Sequence, residues 1–255
     1  LTETVPTAEW DNLGEAPAIT VVIPTYNERE NIQTLIPAVL ALGDGYRVIV
    51  VDDNSPDGTG AVAENLAVAS RGRVCVVHRP AKQGIGPAYR AGFRRALTER
   101  TELIATMDAD HSHQPADLAR LVAAVADADL VLGSRYVAGG STRGWPLFRR
   151  GISRLGGLYA RVVLGVGISD LTGGFKVYRR QTLEALDLDQ IRSDGYVFQI
   201  ETTYRAFQLG YRVVEAPIAF VDRVAGKSKL SRRIVAEAVV TVWRLRFGRG
   251  SRQAR

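Results

Sequence analysis

Residues 19–24, Ile-Thr-Val-Val-Ile-Pro, and residues 47–52, Arg-Val-Ile-Val-Val-Asp, decide the fold. Each is a short β-branched run, one closed by a proline and the other by a carboxylate, as expected of strands buried on both faces of a parallel sheet. Between them, residues 31–42 carry Ile32, Leu35, Ile36, Val39 and Leu40 at helical spacing, stopped by Gly43 and Gly45. The alternation continues outward with helix 59–69, strand 74–77, helix 87–99, strand 103–107, helix 116–126 and strand 130–133. Such repetition predicts an α/β protein with a mainly parallel sheet flanked by helices. After Gly133 the pattern breaks into a Gly- and Arg-rich stretch, 134–157, which reads as loop and mobile helix. Helix 198–209, strand 211–216 and a last helix, 230–247, follow. The 255 residues suffice for one sizeable core, and no internal repeat or long linker marks a second domain.

Composition narrows the class. With 46% hydrophobic and 24% charged residues the chain is neither disordered nor low-complexity. A single cysteine, Cys75, excludes an internal disulfide framework and a multi-cysteine zinc site, and a reducing cytoplasm is the simplest setting. The longest uncharged stretch, residues 31–43, is thirteen residues, well short of the about 20 that span a bilayer. The chain opens on Leu-Thr-Glu-Thr, with no basic start or apolar signal core. The net charge of +6 is concentrated at the C-terminal end, where residues 223–255 hold ten Lys/Arg and one acid. That asymmetry fits a solvated tail or an anionic partner, either nucleic acid or a phospholipid surface.

In a parallel sheet, ligands sit beyond the carboxyl ends of the strands, and the polar residues lie there. Tyr26-Asn27-Glu28 follows the first strand, Asp52-Asp53-Asn54 the second and Asp108-Ala109-Asp110 the fourth. Two carboxylates one residue apart after a buried strand can reach a hard cation, which completes its shell with substrate phosphates and water. Pro56, Asp57 and Gly58 suit a turn, and Asp57 or Thr59 can cap the next helix. Caps account for one acid there, but not for consecutive carboxylates able to accept hydrogen bonds from a ribose or a base. Lys82-Gln-Gly84-Ile-Gly86 has the look of a phosphate loop without Walker spacing, and Gly-x-Gly-x-x-Gly is absent, which disfavours a dinucleotide oxidoreductase. Arg135, Arg143, Arg149 and Arg150 crowd the irregular stretch with guanidinium forks that match phosphate oxygens or form a solvated face.

The ordered set 22–31 (Val-Ile-Pro-Thr-Tyr-Asn-Glu-Arg-Glu-Asn), 51–59 (Val-Asp-Asp-Asn-Ser-Pro-Asp-Gly-Thr), Asp108-Ala-Asp110, 133–137 (Gly-Ser-Arg-Tyr-Val) and 226–230 (Gly-Lys-Ser-Lys-Leu) resembles glycosyltransferase family 2. Within it the chain is similar to the polyprenyl- or dolichyl-phosphate mannose synthases, most of all the synthase domain of the actinobacterial ones. The resemblance implies a single GT-A type nucleotide-diphospho-sugar transferase domain over residues 19–230, after an N-terminal extension (1–18) and before a basic amphipathic membrane-surface helix and tail (231–255). It implies inverting transfer of mannose from GDP-mannose to a polyprenyl monophosphate, or of glucose or another sugar in a sister enzyme. Pro24, Tyr26, Glu28, Val51, Asp53 and Ala109 match donor-contacting positions. Asp108 and Asp110 match the catalytic metal and diphosphate pair for Mg²⁺ or Mn²⁺. Ser112 stands where relatives often carry a Gln ligand, a place that water or His113 can also fill. Arg135, a further catalytic position, joins Arg149 and Ser153 at the acceptor phosphate, and Arg223 and Lys229 fall near the donor diphosphate. Asp170 and Glu201 are carboxylates able to contact sugar hydroxyls or to serve structure.

The lipid acceptor implies peripheral residence on the inner face of the plasma membrane, with a fused or separate membrane-anchoring domain. In the last helix Ile234, Val235, Ala238, Val239, Val242 and Leu245 alternate with Arg232, Arg233, Arg244 and Arg246, a pattern suited to an anionic leaflet or to core packing with a solvated end. A nucleic-acid module is not expected: the tail lacks interleaved aromatics and the strand-end acids would have no purpose.

Overall fold

The computed structural model describes residues 19–222 and 232–248. β1 (Ile19–Thr25) pairs in parallel with β2 (Tyr46–Asp52) on one side and β4 (Leu103–Thr106) on the other, and β3 (Val74–His78) extends the sheet beyond β2. The helices α1 (Arg29–Leu40), α2 (Thr59–Ala69), α3 (Ile85–Leu97) and α4 (Pro115–Ala124) alternate with these strands and with β5 (Leu130–Ser134), as the periodicity predicts. The strands are continuous apolar runs because both faces are covered. Val22, Ile49 and Val51 pack with Tyr89 and Phe93 of α3, whereas Val21, Ile23, Val48 and Val50 pack with Ile32, Leu35 and Ile36 of α1. Each such fully buried side chain contributes about 1.5–3 kcal/mol relative to exposure. Gly92 lets α3 lie against the sheet, since a Cβ there would stand 2.3 Å from Val22 Cγ1.

The second half departs from simple alternation. β7 (Lys176–Arg179) enters antiparallel between β4 and β5, and β8 (Val213–Pro217) pairs in parallel outside β5, giving the order β3-β2-β1-β4-β7-β5-β8. Residues 134–157 are more regular than expected. They contain β6 (Ser141–Arg143), which pairs in parallel with β9 (Ala219–Val221), and the start of α5 (Leu147–Leu164). Gly151, Gly156 and Gly157 weaken the helix signal of α5, but its buried face, Gly157, Ala160 and Leu164, holds it to the body. The short α6 (Arg180–Ala185), α7 (Gly195–Gln208) and α8 (Arg232–Phe247) complete the fold.

Parallel register aligns the strand ends that matter: Thr25 stands opposite Asp52, and Asp52 opposite His78. The loops after β1, β2 and β4 each place a non-glycine residue in the left-handed region, namely Asn27 (φ 60°), Asn54 (φ 57°) and His111 (φ 59°). Such positions are uncommon and gather at ligand-holding turns.

Candidate active site

A cavity of about 470 Å³ opens at these strand ends, within the size range of small-ligand sites. Pro24, Tyr26, Glu28 and Asp53 line one wall; Asp108, Ala109 and Asp110 form the floor; Arg135, Trp145, Arg149, Phe220 and Asp222 make the opposite wall.

The first wall is stitched together by its own loops. The amides of Asn27 and Glu28 donate to Ser55 Oγ (3.1 Å) and Thr59 Oγ1 (3.0 Å). Asp52 is committed to the turn, accepting from Thr25 Oγ1 (3.0 Å), Ser55 N (3.1 Å) and Ser55 Oγ (2.6 Å). Asp57 accepts from Thr59 N at 3.0 Å, in the first turn of α2. Of the acids after β2, Asp53 alone faces the cavity. Burial pushes its carboxyl up, against the opposing pull of the Arg79 guanidinium that it binds. Lys82 Nζ lies 3.7 Å over the Tyr26 ring, closing the wall with a cation.

On the floor, Tyr89 donates its hydroxyl to Asp108 Oδ1 at 3.3 Å, and Asp110 Oδ1 accepts from Ser112 N at 3.1 Å. The buried His113 accepts from Asp108 N on Nδ1 at 3.1 Å and stacks on Phe175 with ring centroids 4.6 Å apart. Burial pushes the imidazole pKa down despite the nearby Asp108 and Asp110 carboxylates. His113 is therefore a neutral prop whose Nδ1 lone pair is already used. Ser112 is enclosed, its hydroxyl makes no hydrogen bond among the described residues, and it does not line the cavity.

On the opposite wall Arg135 is almost fully buried. Its Nε and Nη2 donate to Asp170 Oδ2 and Oδ1 at 2.7 and 2.6 Å, and Nη2 also reaches Thr172 Oγ1 at 2.9 Å. Burial disfavours its charge, but the Asp170 carboxylate outweighs burial and pushes the pKa up. Arg149 stacks 4.2 Å over Trp145 and donates to Asp222 Oδ1 at 2.8 Å. Thus Arg135 and Arg149 face the acid pair across one cavity.

Other expected residues lie elsewhere. Val51 is in the core. Ser153 Oγ accepts from Tyr136 OH at 2.6 Å, next to the cavity rather than on it. Arg150 donates to Thr142 O and, like Arg143, is absent from the cavity wall. Asp170 and Glu201 are both buried away from it: Asp170 holds Arg135, and Glu201 accepts from Arg205 Nε at 2.8 Å and from Ser193. Arg223 and Lys229 fall outside the described residues, as do residues 1–18. The glycines of the 82–86 loop have a steric purpose. A Cβ on Gly84 would stand 1.8 Å from Asp194 Oδ2, and Asp194 ties the loop to α7 by accepting from Gly86 N at 2.7 Å. Trp145, Asp194 and Gln199 line the cavity without a sequence signal that singled them out.

This sheet order, with an acid pair at the end of β4 and a nucleotide-sized cavity above it, defines the GT-A class of nucleotide-diphospho-sugar transferases. Residues 20–187 match Glycosyl transferase family 2, and the chain belongs to that family. It is 46% identical over 252 residues to polyprenol monophosphomannose synthase of Mycolicibacterium smegmatis, covering 95% of each chain. It is 49% identical over 226 residues to undecaprenyl-phosphate mannosyltransferase of Micrococcus luteus, covering 89% of this chain and 93% of that one. Among solved structures, glucosyl-3-phosphoglycerate synthase from Mycobacterium tuberculosis, in complex with Mn²⁺, UDP and glucosyl-3-phosphoglycerate, superposes with TM-score 0.64 at 22% identity over 90% of this chain and 80% of that one. The mannosyltransferase PcManGT from Pyrobaculum calidifontis, in complex with GDP-mannose and Mn²⁺, gives 0.59 at 20% identity over 87% of this chain and 61% of that one. The structural likenesses establish the fold.

Proposed function

We propose that this protein transfers mannose from GDP-mannose to a polyprenyl monophosphate, with inversion, giving a β-linked polyprenyl-phosphate mannose. The observation that carries the reading is the cavity with Asp108 and Asp110 on its floor and Arg135 and Arg149 on the facing wall. Such a site suits a reaction that brings two phosphate groups together. Identity of 46% and 49% to proteins named for polyprenyl-phosphate mannose chemistry supplies the sugar and the acceptor.

A lipid monophosphate has its second pKa near about 6, so the nucleophile is largely ionised at neutral pH and no strong general base is required. The protein's work is alignment and charge neutralisation. Arg135 and Arg149 hold the acceptor phosphate in line with the anomeric carbon, and Tyr136 joins Ser153 to that end. Pro24, Tyr26, Glu28, Asp53 and Ala109 hold the nucleotide. Asp108 and Asp110 are a hard-oxygen pair on the cavity floor and would hold Mg²⁺ or Mn²⁺ with the donor diphosphate; the cation, when bound, neutralises charge on the departing GDP. Ser112 belongs to the local turn in this reading, and water would supply the remaining ligands.

The isoprenoid chain must remain in lipid, and α5 supports a membrane-facing mouth. It begins beside Arg149 and exposes Phe148 (79%), Leu155 (67%) and Val162 (70%) along one stripe, with Arg154 and Arg161 also exposed. On α8, Trp243 and Phe247 are exposed as well. Among the described residues no helix is long and apolar enough to cross a membrane. We read the protein as peripheral on the anionic cytoplasmic leaflet, with residues 231–255 adding basic charge, beside any fused or separate anchoring domain.

The test is transfer of labelled sugar from GDP-mannose to polyprenyl phosphate in vesicles, with and without Mg²⁺ or Mn²⁺, beside UDP-glucose. Metal-dependent β-mannosyl lipid phosphate is the expected product. Transfer from UDP-glucose alone would replace the donor, and no transfer from either would overturn the reading.

A further inference from the structure

Gln199 stands on the first turns of α7, lines the cavity and is 4% exposed. Its Oε1 is buried without a hydrogen bond, and its Nε2 makes none either among the described residues. Leaving the enclosed Oε1 unpaired is costly, about 1–3 kcal/mol. Its backbone is nonetheless fixed: Lys176 Nζ donates to Gln199 O at 2.7 Å and Thr202 Oγ1 does so at 3.2 Å. The amide lies beside the acid pair. A Cβ on Gly174 would stand 3.3 Å from Gln199 Nε2 and 3.8 Å from Asp108 Oδ1, so the missing side chain of Gly174 leaves the two polar groups facing a shared space.

The chemistry of the unused groups selects their partner. A phosphate oxygen accepts only, so it would use the amide N–H₂ and leave Oε1 unpaired. A sugar hydroxyl both donates and accepts, and adjacent hydroxyls can occupy both ends of a carboxamide. Asp170 and Glu201, the carboxylates that sequence reading offers for sugar contact, are committed to Arg135 and Arg205.

We infer that the Gln199 carboxamide hydrogen-bonds a hydroxyl of the donor's sugar and helps to set which sugar is transferred. This rests on the reading of the site as a nucleotide-sugar site. A preset amide whose burial is relieved only by a ligand hydroxyl discriminates against a donor lacking that hydroxyl.

The experiment measures calorimetric binding of GDP, GDP-mannose and a set of monodeoxy GDP-mannoses to the full chain with Mn²⁺, for wild type, Gln199→Met and Gln199→Ala. In wild type, at least one deoxy donor is expected to bind about tenfold more weakly than GDP-mannose. In either variant GDP affinity should stay within about twofold, while the preference for the full sugar over that deoxy donor collapses, a pattern that loosened packing alone would not give. Equal loss of GDP and GDP-mannose affinity, or unchanged discrimination in a folded variant, overturns the assignment. Failure of both variants to fold leaves the wild-type series decisive, since indifference to every deletion also overturns it. If wild type binds another nucleotide sugar in preference to GDP-mannose, the mannose reading fails, and the same comparison is made with that donor and its free nucleoside diphosphate.

Discussion

Asp170 grips Arg135 through both Nε and Nη2 at 2.7 and 2.6 Å, and also accepts from the Arg135 backbone N–H at 3.0 Å. The carboxylate is itself held from behind, because the backbone N–H groups of Ser169 and Asp170 donate to Glu215 on β8 at 2.7 and 2.9 Å. A guanidinium fixed on one edge has little rotational freedom to lose when a ligand arrives, and its Nη1 makes no hydrogen bond among the described residues. Asp170 therefore positions a cation rather than touching sugar.

Asp170→Asn should leave Arg135 with an uncompensated buried charge. Removing one partner of a buried pair typically costs about 3–5 kcal/mol, so a lowered Tm is expected together with a fall in kcat/KM of at least about tenfold. GDP affinity should hold. A variant with full activity and a displaced Tm would make the pair purely structural.

Arg149 shares the wall but is only partly buried, stacked on Trp145 and paired with Asp222. Arg149→Ala should chiefly raise KM for lipid phosphate, about five- to thirtyfold if one or two charge-assisted contacts are lost. Initial-rate kinetics with each substrate varied separately will check this; an effect confined to GDP-mannose would remove Arg149 from the acceptor end.

Asp110→Ala should abolish transfer without changing the circular dichroism spectrum, since the side chain lines the cavity, where it accepts from Ser112 N, and is not part of the core. Chelation with EDTA should do the same to wild type, reversibly on adding Mn²⁺ or Mg²⁺. Near-normal turnover by a folded Asp110→Ala protein would remove the acid pair from the chemistry.

The first half of the fold was legible because each strand is a pure apolar run and each helix has a periodic face, so Val21 and Val22 could be placed on opposite faces without knowing their neighbours. β7 was not: Lys176-Val-Tyr-Arg179 is four residues long, and it is antiparallel, which no local pattern encodes. α5 was hidden by its glycines. At the site, the strand-end acids could be found because strand ends collect ligands, but sequence adjacency could not separate Asp52, which ties a turn, from Asp53, which faces the cavity. Gln199 carried no signal, since an interior helical glutamine acquires meaning only from what fails to bond to it.

The exposed stripe of α5 should bind lipid. Phe148→Ser combined with Leu155→Ser removes two side chains that are 79% and 67% exposed, so folding stability should change by less than about 0.5 kcal/mol. Sedimentation with vesicles containing anionic lipid should fall several-fold, and activity on long-chain acceptor should fall more than on a short, water-soluble polyprenyl phosphate. Unchanged sedimentation would assign the stripe to another partner.

Lys176 gives the fold a pH dependence whose sign can be worked out. It is fully enclosed between β7 and α7, donating to Gln199 O at 2.7 Å and Thr202 Oγ1 at 3.1 Å. Burial pushes its pKa well below the ordinary 10.5, and Asp170 opposes this only in part. Below 10.5 the unfolded chain binds the proton more readily than the folded one, so stability rises with pH from the folded pKa up to 10.5 and is lost as pH falls. Lys176→Met lacks this titration, while Thr202 still satisfies Gln199 O. The stability of wild type relative to Lys176→Met should therefore grow between pH 7 and pH 9, by no more than about 1.4 kcal/mol per pH unit. Urea denaturation of both proteins across that range will read it. A difference that is flat with pH would mean that Lys176 keeps its charge in the folded protein, with Asp170 as the counter-ion that burial fails to overcome.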